Sequence, residues 1–222
     1  MAIPNSIPYK PINVSEAEGK STSETFYELM NMRRSVRDYS DQDVPEVVIE
    51  NILKTAGTAP SGAHKQPWFF CAIRNKALKH TIRELAEKEE EINYDSRMSE
   101  RWKADLEKFG TNPIKEFLDI APWLIVVMRK PYENGPDGER LNNYYVNESV
   151  GIATGLLIAA IHQAGLVTLT HTPSPMDFLA KALGRPENEK PYVLLPVGYA
   201  SKSAKVPDLQ RKEVHEIIKY YR

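Results

Sequence analysis

The 222-residue sequence predicts a single domain of α+β or mixed α/β class. Three observations carry that expectation. About four apolar runs have strand length, near residues 68–73, 123–128, 166–171 and 192–199. Segments with helical spacing separate them. No repeat or interdomain linker divides the chain, which is long enough to bury a substantial core.

Ser21 and Glu24 have capping-box spacing and open a short helix running toward Arg33. Asp43 with Glu46, and Pro45 in the first turn, open a second helix. Its apolar positions Ile49, Ile52, Leu53 and Ala56 follow helical spacing, and Gly57 stops it. Trp68 to Ile73 reads as a strand, and Ala77 to about Phe109 as one long or broken, charge-rich helix. Pro113 starts a short helix through Leu118. Trp123 to Met128 is a strand too apolar to be exposed on either face. The turn signals Asn134-Gly135 and Asp137-Gly138 mark 131–142 as a mobile loop. Asn147 to Ala164 is a buried helix, Leu166 to His171 a strand, Met176 to Leu183 a helix closed by Gly184, and Tyr192 to Tyr199 a strand. Val214 to Tyr221 fits helix or strand.

Lys+Arg of 29 against Asp+Glu of 30 gives a net charge of −1, without the basic excess of a nucleic-acid binder. The single cysteine, Cys71, excludes an intramolecular disulfide and a cysteine metal cluster, and its apolar run marks it as a structural thiol. The long apolar run Val150 to Leu169 is interrupted by His162, Gln163 and Gly165, so it reads as a buried helix followed by a strand, not a membrane span. A helix apolar all round needs cover on every side, for which a subunit interface is a natural source. The first 20 residues lack a signal-peptide core. The expectation is a soluble, cytoplasmic protein with no membrane or nucleic-acid partner.

Arg33-Arg34-Ser35-Val36-Arg37 gathers three guanidinium groups and a hydroxyl where a helix ends. Ala59-Pro60-Ser61-Gly62-Ala63 is a turn of small residues that lets backbone N–H groups approach a ligand. Arginine forks match phosphate oxygens in pairs, so the two together suggest a phosphate site; the plain alternative is a solvated basic helix end. No Gly-x-Gly-x-x-Gly, Walker motif, His-Glu-x-x-His cluster or Gly-x-Ser-x-Gly elbow is present, and the five histidines are scattered. By elimination the arginines suit a phosphomonoester, and flavin mononucleotide (FMN) would fit.

These residues, with Thr55 to His64 and Gln66-Pro67-Trp68, resemble the FMN-binding signature of the nitroreductase superfamily. Glu89 to Tyr94, Arg101-Trp102, Thr111-Asn112 with Ile114-Lys115-Glu116, Leu195 to Tyr199, and Val206 to Leu209 with Arg211-Lys212 are similar to its iodotyrosine deiodinase branch. The resemblance runs from about Ser23 to Lys212. It implies an α+β fold with a central mixed or antiparallel sheet flanked by helices, in an intertwined homodimer. Residues 1–22 would form an N-terminal arm, and residues 23–222 one FMN-binding domain whose C-terminal extension wraps the partner subunit. Animal members carry a membrane anchor that this sequence lacks, which fits a soluble bacterial form.

The resemblance also assigns roles. Arg33, Arg34, Ser35 and Arg37 would grip the FMN phosphate and ribityl chain, and Ser61 the flavin. Thr170, His171, Thr172 and Arg211 would reach the flavin from the other subunit, although His171 stands where animal members have threonine. Glu90 would take the ammonium of a tyrosine-like substrate, with Lys115 and the Tyr94 hydroxyl taking its carboxylate; without the resemblance, that helix face reads as solvated charge. The backbone N–H of Ala63 would meet the phenolate. Thr172, donating to flavin N5, would favour one-electron transfer to a carbon–halogen bond. The implied reaction is reductive dehalogenation of 3-iodo-L-tyrosine to L-tyrosine and iodide, with NAD(P)H or a reductase as electron donor and no metal. The alternatives are a broad NAD(P)H-dependent nitroreductase or quinone reductase, and a binding protein without turnover.

Overall fold

The computed structural model describes residues 6–222; the first five residues of the expected arm lie outside the described residues. The chain divides between Arg33 and Arg34 into two compact units. In the first, helix α1 spans Glu16–Met32. Its capping box is formed by Ser15 and Glu18, not by Ser21 and Glu24: the Glu18 N–H donates to Ser15 Oγ at 3.3 Å, and the Ser15 N–H donates to Glu18 Oε2 at 2.8 Å. The Ser15 hydroxyl also donates to Glu18 Oε2 at 2.7 Å, and this bond, followed by that from the Ser15 N–H, lowers the Glu18 pKa. The expected end of the helix holds, with Arg33 as C-cap.

In the second unit, β1 (Trp68–Ile73), β2 (Trp123–Arg129), β6 (Lys190–Gly198) and β5 (Val167–Thr168) form an antiparallel sheet in the order β1-β2-β6-β5. The central strand β2 alternates between two cores, as a period of two requires. Trp123, Ile125 and Val127 face one core with Ile49 and Ile52 of α2 (Glu46–Gly57) and Leu157 and Ile161 of α6 (Val146–Gln163). Leu124, Val126 and Met128 face the other core. There they meet Ile82 and Ala86 of α3 (Lys76–Ile92), Leu118 of α5 (Phe117–Ile120) and Leu179 of α7 (Asp177–Ala182). A fully buried aliphatic side chain contributes roughly 1.5–3 kcal/mol, so these two layers are what fixes the sheet. The indole of Trp123 donates to the Val44 carbonyl at 2.9 Å, joining β2 to the turn before α2.

Several elements differ from the expectation for identifiable reasons. Pro45 is the N-cap of α2 and not a first-turn residue, and Asp43 instead pairs with Arg74 at 2.5 Å. The charged stretch expected as one long or broken helix takes the broken form: α3, a π-helical turn at Asn93–Arg97 and α4 (Glu100–Glu107), which Ser99 caps by accepting the Trp102 N–H. Helix α5 starts at Phe117 and not Pro113, because the Asn112 side chain accepts the Ile114 N–H at 2.9 Å and holds a turn there. The expected mobile loop at 131–142 is a hairpin of β3 (Tyr132–Asn134) and β4 (Arg140–Asn142). Its turn depends on Gly138, at φ +79°, a conformation costly for other residues. Strand β5 is shorter than expected, although His171 resumes pairing with Leu194. At the C-terminus, only Val214–Ile217 (α8) is helical.

Helix α6 buries Val150, Ala153, Leu157 and Ile161, while Ile152 on the same helix remains exposed. Among the described residues, no helix is long and apolar enough to cross a membrane.

Candidate active site

Beyond Arg33, the chain is extended and lies beside β5. Ser35 forms a parallel bridge to Thr168, and the Val36 N–H donates to the Thr168 carbonyl at 3.2 Å. Val36 and Tyr39 are buried, and the Tyr39 hydroxyl donates to the Pro196 carbonyl at 3.1 Å. This pairing sets Arg37 beside the segment that follows β5. Arg37 therefore shares a cavity of about 420 Å³ with Thr170, His171 and Thr172 of the same chain. For Arg37, the expectation that the arginine cluster and Thr170–Thr172 come from different subunits is corrected: they line one cavity within a single chain. Arg34 donates to the Pro207 carbonyl, four positions before the exposed Arg211. Arg33 caps α1 in the first unit.

The other wall of residues comes from α3 and the loop before α5. Glu90, in the last turn of α3, and Tyr94, one turn later in the π-helical segment, both line the cavity, as does Lys115. Lys115 Nζ lies 3.3 Å from Glu90 Oε2, with only 4% and 10% of their side-chain surfaces exposed. The ammonium also reaches Thr111 Oγ1 at 3.3 Å and the Asn112 carbonyl. The Tyr94 hydroxyl donates to the Thr111 carbonyl at 3.1 Å, tying the same loop to the helix. Burial lowers the Lys115 pKa, and the nearby Glu90 opposes that shift. A buried pair of opposite charges costs desolvation on both sides, so a ligand offering an ammonium to one and a carboxylate to the other can replace their mutual contact.

His171 is buried and packs edge-on against Phe117, with ring centroids 5.7 Å apart. Its Nε2 has no hydrogen-bond partner among the described residues. Burial, followed by the positive charges of Lys115 and Arg37, pushes its pKa down to about 3, so the ring is neutral at physiological pH. Its flanking residues Thr170 and Thr172 are exposed. Cys71 is half-buried with its pKa raised to about 11, principally by burial, as befits a structural thiol.

The Ser61–Ala63 turn is built as tightly as its composition suggests but lies apart from these residues. Ser61 Oγ accepts the Gln66 N–H at 2.8 Å, and the Gly62 N–H reaches Ser149 Oγ on α6 at 3.4 Å. A Cβ at Gly62 would come within 2.9 Å of the Tyr144 carbonyl oxygen, so only glycine fits without movement. Ala63 has φ +48° and is exposed. Neither Ser61 nor Ala63 is among the residues lining the 420 Å³ cavity.

Asn93, Arg97, Trp102 and Phe117 also line the cavity and had no role assigned from the sequence, although Asn93 and Trp102 lie in stretches that carry the resemblance. The aromatic pair gives the cavity an apolar wall suited to a ring. Asn93 was hidden inside a polar run, and its only signal was its place between Glu90 and Tyr94.

This fold and site place the chain in a known class: it belongs to the nitroreductase family, whose model matches residues 30–199. Within the family the similarity is to iodotyrosine deiodinases. The chain is 56% identical over 218 residues to the iodotyrosine deiodinase of Haliscomenobacter hydrossis, covering 98% of each. It is 51% identical over 213 residues to iodotyrosine deiodinase 1 of Mus musculus, covering 96% of this chain and 75% of the mouse protein. A crystal structure of oxidized iodotyrosine deiodinase bound to FMN and 3-iodo-L-tyrosine superposes with a TM-score of 0.78 at 30% identity, covering 89% of this chain and 99% of that one.

Proposed function

We propose that this protein is an FMN-dependent reductive dehalogenase of halotyrosines, converting 3-iodo-L-tyrosine to L-tyrosine and iodide. The observation that carries the reading is the buried Glu90–Lys115 pair, set one helical turn from Tyr94 in a cavity shared with Thr172. The bound cofactor and substrate of the similar crystal structure support it.

The residues fit FMN on their own chemistry. The Ser35–Thr168 pairing leads the chain to Arg37, whose guanidinium shares the cavity with the hydroxyls of Thr170 and Thr172. That donor set suits a phosphomonoester and ribityl chain, and the family pattern is what assigns Arg33, Arg34, Ser35 and Arg211 to the same cofactor. FMN, when bound, would supply the electrons one at a time. The reaction takes two electrons and a proton as the aryl C–I bond gives way to C–H and iodide leaves; NAD(P)H or a reductase is the proposed source of the electrons.

The protein's own groups bind and orient. Glu90 receives the substrate ammonium, Lys115 and Tyr94 its carboxylate, and Trp102 and Phe117 flank the ring. Thr172 presents its hydroxyl to the flavin, and the neutral His171 adds no charge there. Ser61 and Ala63 of a second copy would complete the site in a homodimer, with the Ala63 N–H meeting the phenolate and the exposed Ile152 face of α6 covered. In this reading residues 23–222 act as one FMN-binding domain behind an N-terminal arm, in the cytoplasm.

The test is anaerobic turnover of 3-iodotyrosine by the dithionite-reduced, FMN-loaded protein. Release of iodide and tyrosine in equal amounts is expected. Binding without release would overturn the enzymatic reading. Faster NADPH-driven reduction of nitroaromatics, insensitive to Glu90→Gln, would favour a general nitroreductase.

A further inference from the structure

We propose that Asn93 is a positioning residue that ties the substrate-reading helix to the Thr172 segment, so that seating a halotyrosine on Glu90 and Lys115 also fixes where Thr172 stands. This rests on the halotyrosine reading above. Asn93 is buried at the start of the π-helical turn, between Glu90 and Tyr94 in sequence. Its Nδ2–H donates to the Ser174 carbonyl at 2.8 Å, across 81 residues of chain. Its Oδ1 accepts from Arg97 Nη1 at 3.2 Å, and the same Arg97 nitrogen pairs with Glu89 at 2.8 Å. A guanidinium only donates and a carbonyl only accepts, so both contacts require one orientation of the carboxamide. The amide therefore joins the two elements in a fixed sense.

The connection onward from Ser174 is short and stiff. Ser174 lies two residues after Thr172, between Pro173 and Pro175, whose rings restrict φ. A displacement of the Ser174 carbonyl therefore passes to Thr172 with little slack. Thr172, Ser174 and Asn93 all line the cavity that contains Glu90 and Lys115. Ligand-driven tightening of α3 and the π-helical turn thus has a direct mechanical route to the hydroxyl assigned to the flavin. Asn93 itself carries neither the substrate charge nor the proton.

The test uses the FMN-loaded protein and two substitutions of similar volume. Asn93→Asp keeps an acceptor for Arg97 but cannot donate to Ser174, and Asn93→Leu removes both contacts. Hydrogen exchange with and without 3-iodotyrosine is read at peptides covering 89–97 and 170–174. In the wild type both segments should gain protection together; in either variant 89–97 should gain it and 170–174 should not. The kcat for 3-iodotyrosine should fall roughly tenfold in both variants, the loss of one well-formed hydrogen bond, while its Kd stays within about threefold. Wild-type kcat in Asn93→Asp, or coupled protection persisting there, would overturn the inference. So would parallel losses of Kd, FMN retention and kcat, which indicate a structural role. Exchange in the wild type alone decides if neither variant folds, since protection confined to 89–97 refutes the coupling. Wild-type protein that releases no iodide overturns the halotyrosine reading instead.

Discussion

Lys115 Nζ stands 3.3 Å from Glu90 Oε2, both side chains almost wholly withdrawn from water, with the Lys115 N–H donating to Glu87 Oε1 of α3 at 2.6 Å. Two further contacts from Lys115 Nζ hold it to its own loop. The pair is thus a charged latch inside a cavity, and what it costs in desolvation a zwitterionic ligand can offset.

Breaking one side of that latch should separate binding from stability. Glu90→Gln and Lys115→Met should each lower kcat/KM for 3-iodotyrosine by roughly 10- to 100-fold, the range for one charge-assisted hydrogen bond. Each single change leaves a buried charge without its partner, so the double variant should unfold at higher urea than Lys115→Met. Steady-state kinetics and urea melts of the three variants check both statements. A double variant destabilised relative to wild type by the sum of the two single losses would show that the two charges do not interact.

Thr172 tests the assigned chemistry. Thr172→Ala should keep 3-iodotyrosine affinity within about threefold, because the zwitterion readers are elsewhere, while dehalogenation falls tenfold or more. Thr172→Ser should restore most of the rate by returning a hydroxyl. Equal losses in both variants would point to the methyl group and its packing instead.

His171 makes acid stability predictable in sign. Its folded pKa is about 3, below the unfolded value near 6.5. Between those values the unfolded chain binds the extra proton, so this residue's contribution is fully present above about pH 6.5 and is lost as pH falls toward 3. The slope reaches roughly 1.4 kcal/mol per pH unit for one proton. Urea unfolding of wild type and His171→Thr from pH 4.5 to 7 should show the variant losing less stability on acidification. Parallel curves would mean the imidazole titrates alike in the folded and unfolded protein.

How much of this was legible in the sequence depended on whether the signal was local and unique. The strands β1 and β2 could be read from unbroken apolar runs, and β2 is buried on both faces as its run requires. The start of α1 could not, because Ser15-to-Glu18 and Ser21-to-Glu24 have identical spacing and only the preceding chain's conformation selects between them. The hairpin at 132–142 was hidden for a different reason: its glycine turn was visible, but three-residue strands leave no periodic trace. Glu90 and Tyr94 were legible only through the resemblance, since their four-residue interval alone reads as a solvated charged face, and Tyr94 already lies in the π-helical turn. Asn93 and Arg97 fall in the same turn, and the contact between Asn93 and Ser174 joins residues with no local relationship at all.

Glu87 offers the last prediction, because it holds Lys115 by the backbone and not by charge. Its Oε1 accepts the Lys115 N–H at 2.6 Å and also the Arg83 Nε–H at 2.7 Å, while Arg83 Nη1 donates to Asp119 on α5 at 2.9 Å. The carboxylate therefore anchors the substrate loop to α3 one turn before Glu90, and Arg83 braces it against α5. Removing it frees the loop and leaves both the Lys115 amide and the Arg83 guanidinium short of an acceptor, a cost of about 1–3 kcal/mol. Glu87→Ala should raise KM for 3-iodotyrosine several-fold with kcat little changed, since the loop must be ordered at each binding event but ends in the same place. Glu87→Gln, which can still accept the amide N–H, should recover most of the affinity. Kinetics of the two variants beside thermal melts test this: an unchanged KM in Glu87→Ala would show that Lys115 is positioned by its side-chain contacts alone.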